Sequence, residues 1–468
     1  MDANTAKTTT TTHDALDLDL DILGQSPLLR IYTQISLCFP VRDPSAHDAI
    51  VNALQKGLER LSDAFPWVAG QVVHTPGPEG NSGLFKIKAL DKTPRLVVKD
   101  LRDDAYAPTM DRLRKAEFPM SMFNEDVITP RRTIPGGPNY DPSEPEPVLL
   151  LQVNWIEGGL ILTVNGQHAC MDMTGQGEVI RLLSKACRNE PFTDEELAAQ
   201  SLARDTVVPF LDDSYEPGDE LVEQMVPPPP PHPPTPLEST SPPPRALWVY
   251  FSFDPKSLAQ LKADVEKSRD ASTPFVSTDD ALTALIWQST TRARLPRLQP
   301  TDNIKLSRAV DARSCVGAPK GYPGLLQTMT YHNETSQQLM DMPLGVIASK
   351  LRSELDPAKL RFRVQALATA VKRLSDKAGF SITALSKPET DVLLSSWSKV
   401  NCWDLDFNFG LGKPESVRRP MFTPFESLMY LMPKAPDGEI SLGISLREED
   451  MERLKADQEF LKYGRYIG

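Results

Sequence analysis

Much that a function could be built on is missing from this 468-residue chain. No apolar run approaches the ~20 residues that a membrane-spanning helix needs. The N-terminus, "MDANTAKTTTTTHDALDLDLDI", is Thr-rich and acidic and lacks the basic stretch and apolar core of a secretory signal. A positive balance is missing too: 51 Lys and Arg stand against 63 Asp and Glu, a formal charge of −12. That argues against a nucleic-acid or membrane-surface partner, and any anionic ligand would have to meet a local basic patch. Cysteines are few and odd in number: Cys38, Cys170, Cys187, Cys315 and Cys402, never in C-x-x-C spacing. Reduced thiols in the cytoplasm fit this better than a disulfide frame or a zinc site. No G-x-x-x-x-G-K-[ST] occurs, and "GLGKP" lacks both the spacing and the hydroxyl. "GQGEVI", from Gly175, carries Ile180 where a dinucleotide loop has its third glycine. There is no G-x-S-x-G elbow and no H-E-x-x-H or other metal-ligand spacing. The expectation is chemistry without a metal and without a permanently bound cofactor.

What is present divides the chain in two. Its length exceeds what one compact core holds, and 40 % hydrophobic residues suffice to fill two. Residues 1–15 read as a disordered N-terminus. A first domain is expected over 16–215, opening on "LDLDLDIL", whose period-two alternation predicts a strand. "IYTQISLCF" predicts another, and Ile50, Leu54, Leu58, Leu61 and Phe65 fall at helical spacing after Asp43-Pro44. Residues 216–246 hold "VPPPPPHPPTPLESTSPPPR", read as a semi-rigid exposed linker; a ligand for a proline-recognising module is the alternative. The second domain, 247–468, restarts with the strand "LWVYFSF" and holds "STDDALTALIWQSTTRAR", a helix with an N-capping start. Both halves mix strands and helices without regular βαβ alternation, which predicts two mixed-sheet α/β domains rather than a doubly wound sheet or barrel.

Chemistry concentrates in "NGQHACMDMTG", residues 165–175. His168 and Asp172 form H-x-x-x-D, but so do His13 and Asp17, and roughly 0.4 chance matches are expected, so the pattern alone is weak. Context separates them: His13 lies in the approach to a strand, whereas His168 sits between a buried strand and a helix, with Gly166 and Gly175 on either side. An imidazole with an ordinary pKa near 6.5 is the side chain best suited to take a proton at neutral pH. A buried histidine satisfied by backbone groups is the bland alternative. Asp172 could orient the ring, serve the scaffold through a salt bridge, or favour the positive end of the following helix. Cys170 could be a nucleophile, but a small buried thiol is the plainer reading.

These residues also carry a resemblance. H-x-x-x-D at mid-chain followed by "DLDFNFGLGKP" (404–414) resembles the BAHD family of CoA-dependent acyltransferases. "PWVAGQV", "GGLILTVNGQHACMDM", "VIRLLSKACRN", "FVSTDDAL", "RAVDAR", "YPGLLQTMTYHN" and "GLGKPESVRRP" resemble its fungal branch acting on trichothecenes, in order along nearly the whole chain. The resemblance implies chloramphenicol-acetyltransferase-like domains with the active site at their interface. It implies acetyl-CoA as co-substrate and the C3 hydroxyl of a hydrophobic sesquiterpenoid alcohol as acceptor, a fungal self-protection reaction; the alternatives are another hydrophobic alcohol or amine as acceptor, or a catalytically silent homologue that only binds. His168 would be the general base in a ternary complex and Trp397 an oxyanion stabiliser. Asp172 would pair with Arg313, and Asp406 and Gly410 would belong to a structural loop. Asn408 departs from the family by standing where that loop has its first glycine, although Asn tolerates left-handed backbone. The basic run at Lys413, Arg418 and Arg419 could meet the CoA phosphates, or could be a solvated loop. The resulting expectation is a monomeric, cytoplasmic enzyme acting on small molecules, with no nucleic-acid or membrane partner.

Overall fold

The computed structural model describes residues 16–136, 141, 143–227 and 244–468. The N-terminal stretch read as disordered, His13, and the proline run at the centre of the expected linker lie outside the described residues.

The first half is built on a five-stranded sheet, in the order Ser416–Arg418, Tyr32–Pro40, Gly159–Gln167, Leu149–Ile156, Arg95–Asp100. At its centre Leu149–Ile156 and Gly159–Gln167 form a hairpin, with Ile156 opposite Gly159. Gly158 closes the turn at φ +75°, a conformation that side-chain-bearing residues adopt at a cost. The helices His47–Ala64 and Met173–Cys187 bury apolar stripes in the same core, the first through Ile50, Leu54, Leu58 and Leu61.

The second half is a seven-stranded mixed sheet in the order Gln327–Thr335, Asn303–Asp311, Val392–Ser396, Leu428–Leu431, Ile440–Arg447, Ala246–Phe253, Arg465–Tyr466. Only Val392–Ser396 runs parallel to its neighbours, on both sides. Behind this sheet the helix Thr278–Arg294 starts at a reciprocal capping box between Ser277 and Asp280 and buries Trp287.

Three features differ from the sequence pattern. "LDLDLDIL" pairs only over Asp17–Asp19, in a small sheet with Leu84–Lys88 and Gln71–Thr75. The alternation stops because Asp21 turns inward, accepting hydrogen bonds from the Tyr322 hydroxyl (2.5 Å) and the Leu325 amide (3.0 Å). Second, Ser416–Arg418, from the second half, completes the first sheet by pairing with Ser36–Cys38. Three residues are too few to show a period. Third, the start of the span expected as a linker, 216–246, is packed into the fold. Asp219–Leu221 forms a 3-10 turn, Leu221 and Gln224 are buried, and Met225 bridges to Phe380. Apolar Leu221 and Met225 gain more by packing than by spacing two domains. Among the described residues no helix is long and apolar enough to cross a membrane.

Candidate active site

The strand Gly159–Gln167 ends where its neighbour begins. The His168 amide donates to Ile31 O (2.8 Å), and the next two amides turn back onto Gln167, Ala169 to its Oε1 (2.7 Å) and Cys170 to its carbonyl (3.0 Å). Arg204 braces the turn from outside by donating to Cys170 O (2.6 Å). Ala169, Cys170 and Met171 are buried, and only His168 is partly open. The ring is therefore presented on backbone that cannot shift without breaking a packed core.

One hydrogen bond settles the state of that ring. His168 Nδ1 lies 3.2 Å from Met171 O. A carbonyl can only accept, so the neutral imidazole carries its hydrogen on Nδ1 and its lone pair on Nε2. Burial holds its pKa below the ordinary value. The Met171 carbonyl and the Asp172 charge oppose this, and the Arg419 charge adds to it. The ring is neutral at physiological pH, the form able to accept a proton.

Asp172 faces elsewhere. It caps the helix Met173–Cys187 by accepting from the Gly175 amide (2.9 Å). The Leu326 amide donates to its Oδ2 (2.9 Å), and Arg313 grips both oxygens, Nη1 to Oδ2 and Nη2 to Oδ1, each at 3.0 Å. Arg313 is further held by Tyr322 O, Gly324 O and Asp311. The carboxylate thus spends its lone pairs on the junction between the halves. Gly175 lets them meet: a Cβ there would fall 1.9 Å from Pro323 O.

His168 opens onto a cavity of about 600 Å³ between the two halves. Leu29, Thr33 and Met173 line it from the first half, and Met329, Phe422 and Tyr430 from the second. The volume and apolar walls suit a small hydrophobic molecule. Trp397 and Arg419 also line it. The Trp397 ring is buried and its indole N–H donates to Ser395 Oγ (3.0 Å).

Of the remaining residues singled out from the sequence, Asp406, Asn408, Gly410, Lys413 and Arg418 are not among those that line the cavity. Asp406, Asn408 and Gly410 form a loop anchored by Phe407 and Phe409, whose rings meet Phe39 at 6.2 and 5.7 Å. Asp406 O accepts from Ser184 Oγ (2.9 Å), and its carboxylate accepts from the Asn408 amide (2.8 Å). Asn408 and Gly410 both have left-handed backbone, φ +57° and +73°. The basic run is not one patch. Lys413 is exposed and paired with Asp404 (2.8 Å). Arg418 is buried, donating to Phe118 O, Glu117 O and Val417 O, and Arg419 reaches the cavity. Alternation along a strand that packs on both faces separates these two arginines. Cys170 is buried and its thiol is pushed up to about 12 by desolvation, so it supplies no thiolate. Among the described residues no cluster of His, Cys, Asp or Glu could hold a metal ion. The cavity walls Met329, Phe422 and Tyr430 had no signal in the sequence, being scattered over a hundred residues.

A neutral histidine set between two mixed-sheet halves, facing a cavity both of them line, is an arrangement that can take a proton from a molecule bound there. Residues 137–461 match the family described as the Transferase family, and residues 31–187 match the trichothecene 3-O-acetyltransferase-like N-terminal domain. The chain belongs to this BAHD transferase family and is an acyltransferase. It is 57 % identical to the trichothecene 3-O-acetyltransferase of Fusarium sporotrichioides, over 99 % of this chain and 100 % of that one. It is 52 % identical to an O-acetyltransferase, dmxR13, of Cryptosporiopsis, over 97 % and 98 % of the two chains. A crystal structure of the Fusarium graminearum relative, complexed with coenzyme A and deoxynivalenol, superposes with a TM-score of 0.92 at 53 % identity, covering 97 % of this chain and 100 % of that one.

Proposed function

We propose that the protein transfers the acetyl group of acetyl-CoA to the C3 hydroxyl of a trichothecene sesquiterpenoid, with both substrates bound at once. The hydrogen bond from His168 Nδ1 to Met171 O carries this reading, because it leaves Nε2 as the free base at the edge of an apolar cavity. The acceptor O–H donates to Nε2, its oxygen attacks the thioester carbonyl carbon, and the CoA thiolate leaves with the proton that His168 held. A thioester is already activated and its thiolate leaves readily, so no covalent enzyme intermediate is needed. Base assistance contributes roughly 10²–10⁴-fold. Holding the two substrates together accounts for much of the rest. Asp172, Arg313, Asp406 and Gly410 are structural in this scheme. Lys413 is the member of the basic run whose charge reaches the surface, where CoA phosphates could meet it. The same reading makes the protein a cytoplasmic monomer acting on small molecules.

Mixing the protein with acetyl-CoA and a trichothecene alcohol, with free thiol as the readout, tests it. Thiol release that depends on the acceptor is expected; release that ignores the acceptor, or none, overturns it. The 52 %-identical relative, named as an O-acetyltransferase, favours a second reading in which another hydrophobic alcohol is the acceptor. Turnover with such alcohols and silence with trichothecenes would select it.

A further inference from the structure

The cavity is lined by a cation, Arg419, that has no ion-pair partner among the described residues. Arg419 follows the short strand Ser416–Arg418, and its backbone is fixed by Tyr250: the Arg419 amide donates to Tyr250 Oη (2.8 Å) and the Tyr250 hydroxyl donates to Arg419 O (3.1 Å). Its side chain runs inward and is 2 % exposed. The guanidinium carbon lies 4.4 Å from the ring centroid of Phe422, 4.5 Å from that of Tyr430 and 5.3 Å from that of Trp397. Among the described residues no carboxylate forms an ion pair with it, and its Nε is buried without a hydrogen-bond partner. Its neighbour Arg418 is also buried, but spends its donors on backbone carbonyls.

An unpaired charge in such a place is costly to fold around. Three π-faces offset part of that cost, and they do so without occupying any N–H. The result is a positive group, buried and fixed, its Nε without a partner among the described residues, in the wall of the cavity onto which His168 opens. That is what stabilising a developing negative charge requires. Trp397, the residue that the resemblance suggested for this task, already has its indole N–H bonded to Ser395 Oγ.

We propose that Arg419 is a catalytic residue, donating hydrogen bonds to the acetyl carbonyl oxygen as it becomes an oxyanion, with Trp397 as one wall of the cage that holds it. This rests on the acetyl-transfer reading above. The acceptor oxygen forms its bond to the carbonyl carbon, the C=O π pair moves onto oxygen beside Arg419, and the acceptor proton passes to His168 Nε2. As the oxyanion collapses, the C–S bond breaks and the CoA sulfur takes that proton from His168. The Arg419 charge also acts on His168, in the direction that keeps its ring neutral.

Arg419→Gln and Arg419→Lys, measured beside the wild type with acetyl-CoA and acceptor, test this. An inactive wild type would fault the acetyl-transfer reading instead, so the two failures are distinguishable. With an active wild type, Arg419→Gln is expected to lose ~10²-fold or more in kcat. KM should stay within a few-fold for both substrates, and the acid limb of kcat/KM should move to higher pH. Arg419→Lys, which keeps the charge but not the fork, is expected to lose less and to leave that limb in place. A Gln variant with near-normal kcat overturns the proposal. So does a loss confined to the KM for acetyl-CoA, which would mark a phosphate anchor. So does equal inactivity of both variants with the acid limb unmoved. Should the Gln variant not fold, the Lys variant decides: reduced kcat with KM unchanged supports the role, and unchanged kcat removes it.

Discussion

Asp172 and Arg313, 141 residues apart, close a two-bonded fork across the halves of the chain while no bond joins Asp172 to the His168 ring four residues earlier. Spacing alone would have made Asp172 the histidine's orienting partner; the structure gives that task to the Met171 carbonyl. Both members of the fork are nearly inaccessible, Asp172 5 % and Arg313 9 % exposed in their side chains. Removing one charge of such a pair leaves the other buried without compensation and costs about 3–5 kcal/mol. Asp172→Asn is therefore expected to lower the unfolding temperature clearly, while the protein that stays folded keeps more turnover than a His168→Ala variant. Thermal unfolding and kcat on the same preparation check this. A normal unfolding temperature with kcat as low as that of His168→Ala would make Asp172 a catalytic partner after all.

His168→Ala has the opposite signature. The ring makes one side-chain hydrogen bond and lines a cavity, so little of the fold depends on it. Loss of general-base assistance predicts a fall in kcat of at least ~10²-fold. The far-ultraviolet spectrum and unfolding temperature should remain near those of the wild type. Turnover within a few-fold of normal would move the base elsewhere.

The depressed pKa of His168 fixes the sign of the pH dependence. The neutral ring is the active form, so activity is present above the folded-state pKa and is lost as pH falls through it. Because burial, the largest influence, pushes that pKa below the ordinary ~6.5, the acid limb of kcat/KM should lie below pH 6.5. Stability follows in the same sense. The unfolded chain takes up the proton first, so the stability present above pH ~6.5 declines as pH falls towards the folded-state value. His332 adds to the effect: burial, with Arg308 beside it, depresses it to about 3. Rates and unfolding temperatures measured from pH 8 to 5 test both, and an acid limb at or above pH 7 contradicts the geometry.

How much of this could be read beforehand follows from how far apart the cooperating residues lie. The strand–turn–helix around His168 was legible because its signals are contiguous: an apolar hairpin, a Gly-flanked turn and a helical stripe within forty residues. The mixed-sheet character of both halves was legible from strands and helices that do not alternate in regular βαβ order. The junction was not. Ser416–Arg418 is too short to show a period, and its pairing partner Ser36–Cys38 lies far earlier in the chain. "VRRP" reads as surface charge until the strand is known to pack on both faces, which sends one arginine to backbone carbonyls and the next into an aromatic cage. A side chain's chemistry depends on what surrounds it, and Phe422, Tyr430 and Trp397 reach Arg419 only through the tertiary fold.

Asn408 offers a test of one departure from the family pattern; the proline-heavy linker is the other, and its proline run lies outside the described residues. Its backbone sits at φ +57°, where glycine carries no Cβ penalty and Asn carries a small one. The loop is held from other directions, by Phe407 and Phe409 against Phe39 and by Ser184 against Asp406 O. Its shape should therefore depend on the torsion at 408 and not on the Asn side chain. Asn408→Gly is expected to change stability by less than ~1 kcal/mol and to leave kcat unaltered. Asn408→Val, which resists left-handed backbone, should cost about 1–2 kcal/mol. Because this loop does not line the cavity, the loss should appear in denaturant midpoints before it appears in turnover. If the glycine variant loses activity while remaining as stable as the wild type, the Asn408 side chain has a role in the reaction that its position in the loop does not account for.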